Sequence, residues 1–412
     1  MDARKPDITI SRRRFVRGGV AFAASLCAPA VFAVAADAAT RRHSRAPKSS
    51  ASAAGANSAA LNSPYATACV MEPVTGTIIF DHDMHRPWPT ASLAKMMLML
   101  IVAEKLHDGS LKLTDKVTTS AFAAKMGGSQ VYLKEDETFS LQEMMQAVVI
   151  HSANDASVAV AEYVGGSVEA FTVMMNQRAA ALGLKDTHYY SVHGLPPAPG
   201  QQPDVSSAYD LAVMARELVK YPDLLRWAAT DTAPFRNGTF QLRNTNHLVR
   251  TFAGCDGLKT GFYDQAGFNV VATARRAGLR LIAVVLGSPR KEENFSAAST
   301  MMAQGFADYE MRQIARRGDA IARVVPVTDG AASTVRPVWS EDASVFTARD
   351  DEKAGFTIDF RLPASIAAPI AAGQSIGTAV VVVDGKSRQE LPLMAPAAVA
   401  RDTLFQRLTG GL

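Results

Sequence analysis

The chain has 412 residues, 48% of them hydrophobic and 20% charged, with a formal net charge of +4. Residues 1–36 hold six Lys or Arg against two acids, so the remainder is close to neutral and its charge gives no basis for a nucleic-acid partner. About 350 residues follow the N-terminal region, enough for two domains with cores of their own.

Ser11-Arg12-Arg13-Arg14-Phe15-Val16 matches a twin-arginine export pattern, and an apolar, small-residue run follows to about Ala35. The run is short, alanine-rich and broken by Pro29, which favours a cleaved signal peptide over residues 1–36 rather than a spanning anchor. Leu26 ahead of Cys27 gives no lipoprotein context. The mature chain is therefore expected in the periplasm or on the outer face of the cytoplasmic membrane. Residues 37–61 are mostly small and polar; they cannot offset chain entropy by burial and read as a disordered linker.

Residues 65–80 alternate in short apolar runs around Pro73-Val74-Thr75-Gly76-Thr77, which predicts a β-hairpin. Pro89 and Thr90 lead into a helix over 92–107, apolar enough from 96 to 102 to be buried. Ser140-Leu141-Gln142-Glu143 is a capping-box pattern ahead of a helix over 144–149. A further helix follows Asn154, and 168–182 and 207–220 read as amphipathic helices. Residues 268–274 and 279–286 read as strands joined at Ala277-Gly278, so this half is a mixed α/β domain with an antiparallel sheet. Near residue 310 the composition shifts. Short strand candidates at 324–327, 335–338, 344–347, 356–362 and 379–383, with Asp384-Gly385 as a hairpin turn, predict a small all-β domain. Residues 399–408 read as a short helix with Leu404 and Leu408 on one side, either a membrane contact or a free tail.

Cys27 leaves with the signal, and Cys69 and Cys255 are expected as buried free thiols. The eight His are scattered and no Cys/His cluster has metal spacing, so no metal or cofactor is expected.

Three motifs carry chemistry. Ser92-Leu93-Ala94-Lys95 puts a hydroxyl and an amine on one side of a helix at i and i+3. A lysine at the N-terminal end of a buried helix loses solvation and gains nearby positive charge, and both effects favour the neutral amine that could activate the serine. Alone, such a pair arises by chance about once in a chain this long, and Ser92 could be a mere N-cap. Ser152-Ala153-Asn154 lies between two apolar helical stretches, as simple caps or as a relay in which Asn154 bonds a substrate amide and Lys95. Lys259-Thr260-Gly261 precedes two strands; in isolation it could be an ordinary turn, or Lys259 and Thr260 could grip a carboxylate while Gly261 lets a bound backbone approach.

The order and spacing of these motifs resemble the low-molecular-mass penicillin-binding proteins, specifically the D-alanyl-D-alanine carboxypeptidases. The likeness extends to Glu72-Pro73-Val74-Thr75-Gly76, Gly128-Ser129, His193-Gly194-Leu195 and Asp384-Gly385-Lys386, and it covers nearly all of residues 62–400. It implies an α/β (α+β) β-lactamase/transpeptidase-like domain over 62–308, with an antiparallel sheet and a helical subdomain. A small all-β C-terminal domain over 315–398 would follow, then the tail from 399 to 412. It further implies Ser92 as acyl-enzyme nucleophile, Lys95 as its base, Ser152 and Asn154 in the proton network, and Lys259 with Thr260 on a terminal carboxylate beside Gly261. The oxyanion hole would be the N–H groups of Ser92 and Phe262. The implied partners are the peptidoglycan stem pentapeptide and β-lactam antibiotics. Ala94 and Ala153 stand where Thr and Gly are frequent in the family. Alternatives are a D,D-endopeptidase cutting crosslinks, or a non-catalytic penicillin-binding wall scaffold. A class A β-lactamase needs a loop Glu between the second and third motifs, but Glu162, Glu169 and Glu217 all read as helical.

Overall fold

The computed structural model describes residues 64–350, 355–383 and 385–402. The twin-arginine segment, the linker, Asp384 and the tail from residue 403 lie outside the described residues.

Strands β1 (Thr67–Glu72) and β2 (Thr77–His82) form the expected antiparallel hairpin. The segment of the first motif is not one continuous α-helix. A 3-10 turn over Ala91–Ala94 opens onto α1 (Lys95–His107). Side chains three apart eclipse in a 3-10 turn, so Ser92 and Lys95 stack more directly than on an α-helix. Next come α2 (Leu141–His151), α3 (Asn154–Gly165), α4 (Val168–Ala181) and α5 (Ala208–Leu218). The capping box at α2 is formed in full: Ser140 Oγ accepts the Glu143 N–H, and the Glu143 carboxylate accepts the Ser140 N–H.

Three long strands follow: β3 (Cys255–Tyr263), β4 (Gly267–Arg276) and β5 (Leu279–Ser288). They complete a five-stranded sheet in the order β2-β1-β5-β4-β3, antiparallel throughout. Ala277 and Gly278 turn β4 into β5 with φ of 46° and 85°, the left-handed pair that suits a two-residue hairpin. Both faces of the sheet are covered, so alternate residues of β1 enter different cores. Cys69 and Met71 join α1 and the other helices, whereas Ala68 and Val70 join α6 (Glu293–Asp308). That double coverage explains why β1 reads as an unbroken apolar run. Helix α1 is wrapped on all sides: residues 96–102 are at most 5% exposed.

The C-terminal part is all-β. Strand β6 (Tyr309–Ala315) pairs with β7 (Ala343–Ala348), and β8 (Phe356–Arg361), β9 (Ser375–Val383) and β10 (Lys386–Met394) form a second antiparallel set. The expected strand over 335–338 is two strands. Thr334–Val335 and Val338–Trp339 belong to different sheets because Pro337 between them has no N–H for a ladder. The expected helix from 399 does not begin there. Val399 bridges Ile370 and Arg401 bridges Gly330, which ties that stretch to the β-domain in extended form. Cys69 and Cys255 are both free; Cys69 is buried as expected, but Cys255, at the start of β3, is only half-buried.

Candidate active site

The first motif is placed by backbone geometry. Thr90 precedes the 3-10 turn, and its carbonyl accepts the Leu93 N–H at 3.2 Å. Asn269 on β4 donates to the carbonyls of Pro89 and Thr90 at 3.0 and 3.3 Å, which pins the entry of the turn to the sheet. Lys95 Nζ donates to Ser92 Oγ at 2.8 Å and to the His193 carbonyl at 2.7 Å. Lys95 is fully buried. Burial, and then the positive charge of Lys259, hold its pKa well below the ordinary lysine value, against an opposing pull from Asp204 and Asp155. The pair thus sits as a hydroxyl against an amine that readily gives up its proton, the arrangement an activated serine needs.

The second motif spans a helix junction. Ser152 ends α2 in the left-handed region, at φ 63°, and Asn154 opens α3. Asn154 Nδ2 donates to the Gly127 carbonyl at 2.7 Å, and its backbone N–H donates to Ser129 O at 2.7 Å. Ser152 Oγ and Asn154 Oδ1 are buried and have no hydrogen-bond partner among the described residues. The expected Asn154–Lys95 hydrogen bond is not formed, because Gly127 takes the amide N–H and the His193 carbonyl takes the amine.

The third motif lies on edge strand β3. Lys259 is 1% exposed, and burial lowers its pKa to about 7. Thr260 Oγ1 donates to Thr245 Oγ1 at 2.7 Å. A Cβ on Gly261 would fall 2.7 Å from Thr90 O and 3.0 Å from Ser92 N, so only glycine lets this strand lie against the Ser92 turn. Phe262 is half exposed and stacks on Phe268 with ring centroids 4.1 Å apart.

Ser92, Ser152, Thr260, Gly261 and Phe262 line one cleft of about 720 Å³. Lys95, Asn154 and Lys259 do not line it; Lys95 reaches it through the 2.8 Å contact with Ser92, and the charge of Lys259 acts on Lys95. Three contributors have no side-chain signature in sequence, because the carbonyls of His193, Gly127 and Ser129 act as backbone atoms. Thr245 could have been found: Asn244-Thr245-Asn246 is a polar triplet whose flanking amides bond the carbonyls of Ala228, Thr230 and Gly257. Glu162, Glu169 and Glu217 lie in α3, α4 and α5. Glu162 accepts the Ser120 hydroxyl and Glu217 pairs with Lys220, so neither serves the cleft.

Fold and cleft together define a serine-type hydrolase. A family model described as D-alanyl-D-alanine carboxypeptidase matches residues 54–290, and one described as penicillin-binding protein 5, C-terminal domain, matches 309–401. The chain is 36% identical over 332 residues to the D-alanyl-D-alanine carboxypeptidase DacF of Bacillus subtilis, covering 80% of this chain and 84% of that one. Among solved structures, a peptidoglycan synthesis regulatory factor of Streptococcus pneumoniae superposes with a TM-score of 0.72 at 26% identity, covering 82% of this chain and 99% of that one. Penicillin-binding protein D2 of Listeria monocytogenes, in its ampicillin-bound form, superposes with a TM-score of 0.55 at 28% identity, covering 60% and 99%. The chain belongs to the D-alanyl-D-alanine carboxypeptidase family.

Proposed function

We propose that the protein removes the terminal D-alanine from peptidoglycan pentapeptides through an acyl-enzyme on Ser92. The observation that carries this reading is the 2.8 Å contact between Lys95 Nζ and Ser92 Oγ at a buried amine of lowered pKa. Ser92 Oγ attacks the carbonyl of the penultimate D-Ala, and its proton passes to Lys95 Nζ. The oxyanion meets the N–H groups of Ser92 and Phe262 at the start of a helix and the edge of a strand. Ser152 relays a proton to the leaving amine of the terminal D-Ala, and Asn154 Oδ1 accepts a substrate amide N–H. Water then hydrolyses the ester and frees Ser92. Lys259 and Thr260 hold the terminal carboxylate, with Gly261 and Phe262 along the bound backbone. β-Lactams present a strained amide and a carboxylate in the same relation, so they acylate Ser92; the ampicillin-bound relative supports this.

In this reading residues 1–36 are a twin-arginine signal, 37–61 a linker, 62–308 the peptidase domain and 315–398 the β-domain. The tail from 399 to 412, tied to the β-domain at Val399 and Arg401, ends either in a peripheral membrane contact or free, and the mature enzyme works in the periplasm or on the outer face of the cytoplasmic membrane. The test is the product formed from a purified muropeptide. Free D-Ala from a pentapeptide, with crosslinked dimers left intact, supports the carboxypeptidase. Shortened crosslinks without D-Ala release would make it an endopeptidase, and penicillin binding without turnover a scaffold.

A further inference from the structure

Two segments meet at the serine–lysine pair, and one residue holds both. Residues 190–194 carry the His193 carbonyl that receives Lys95 Nζ. The Asp204 carboxylate accepts the N–H groups of Tyr190 and Ser191 at 2.6 and 2.8 Å and the Ser191 hydroxyl at 2.6 Å. Ser191 Oγ in turn accepts the Gly194 N–H at 2.9 Å, which closes the strap on itself. The backbone carbonyl of Asp204 accepts the Thr90 N–H at 2.9 Å, two residues before Ser92. Asp204 is 4% exposed and is not part of the cleft wall. Burying a carboxylate is unfavourable unless donors satisfy it, and here three converge on one group.

We propose that Asp204 is a positioning residue: it clamps the 190–194 strap to the segment entering the Ser92 turn and so fixes the Lys95 amine against the Ser92 hydroxyl. The inference rests on the reading of Ser92 and Lys95 as nucleophile and base. Asp204 acts on Lys95 by charge as well. Four groups face that amine: Lys259 from β3, Asp155 from α3, Asp204, and His193, whose own pKa is lowered to about 4 by burial and by Lys95. Lys259 favours the neutral amine, and the two carboxylates favour the ammonium. Removing the Asp204 charge therefore eases deprotonation of Lys95 while loosening its placement.

The experiment compares the full chain with Asp204→Asn and Ser191→Ala, following D-Ala release and fluorescent-penicillin acylation across pH, with thermal melts to establish folding. Asp204→Asn keeps the backbone link to Thr90 and one acceptor oxygen but loses the charge. Its kcat should fall about tenfold or more, since small misplacements of reacting groups are costly, with KM within about threefold of wild type. The acid limb of its acylation rate should move to lower pH. Ser191→Ala retains the charge, so its kcat should fall with the acid limb in place. A folded Asp204→Asn with wild-type kcat, or with slowed acylation and an unmoved acid limb, overturns the proposal. If Asp204→Asn does not fold, an undiminished kcat in Ser191→Ala overturns it. A wild-type chain that is never acylated at Ser92 refutes the underlying assignment instead.

Discussion

Gly194→Ala is the sharpest perturbation of the site that leaves every reacting group in place. Gly194 has φ +73°, and a Cβ there would lie 1.9 Å from Ala91 O and 3.0 Å from Ser92 N. Carbon makes contact at about 3.5 Å, so the strap or the Ser92 turn must retreat by about 1.5 Å. A left-handed alanine adds about 1–2 kcal/mol of strain. Lys95 Nζ bridges the two parts that are pushed apart, Ser92 Oγ and the His193 carbonyl. Displacing a reacting group by about 1 Å costs on the order of a hundredfold in rate. The time course of fluorescent-penicillin acylation, read beside D-Ala release and a thermal melt, should show a loss of about that size and a lower melting temperature. A folded variant acylating within about threefold of wild type would refute the claim that this contact sets the geometry of the pair.

The pH dependence follows from the two lysines. With Lys95 as the proposed base, active when neutral, kcat/KM should fall as pH drops through its lowered pKa; with Lys259 as the proposed carboxylate grip, active when charged, kcat/KM should fall as pH rises past about 7. Lys259→Arg should carry the alkaline limb upward, since a guanidinium stays charged, and a limb that does not move would belong to another group. Ser140→Ala should lower stability by about 1 kcal/mol in a denaturant melt through loss of the α2 cap, with penicillin labelling unchanged. Replacing Arg12 and Arg13 with Lys should leave the protein in the cytoplasmic fraction, and normal export would remove the twin-arginine assignment.

The parts of the fold legible in sequence were those written in local chemistry. The α2 capping box, the Ala277-Gly278 turn and the apolar run of α1 each follow from neighbours within a few residues. The three motifs were legible because acyl transfer demands particular side chains at fixed spacing. Long-range backbone pairing was not legible. Val399 and Arg401 read as a helix start, yet their partners are Ile370 and Gly330. The relay reading pairs Lys95 with Asn154 because a side chain can be seen in sequence, whereas the carbonyl of His193 is an atom every residue has. Helix α6 is absent from the sequence-based expectations, although its Phe295, Met301 and Met302 pack against one face of the sheet.

Mass-spectrometric mapping of the β-lactam adduct is the most direct measurement on the central claim that three remote motifs assemble one acylation site. The account predicts a single adduct on the peptide containing Ser92, absent in Ser92→Ala together with all D-Ala release. An adduct on a different serine, or a Ser92→Ala chain that still frees D-Ala, would contradict it.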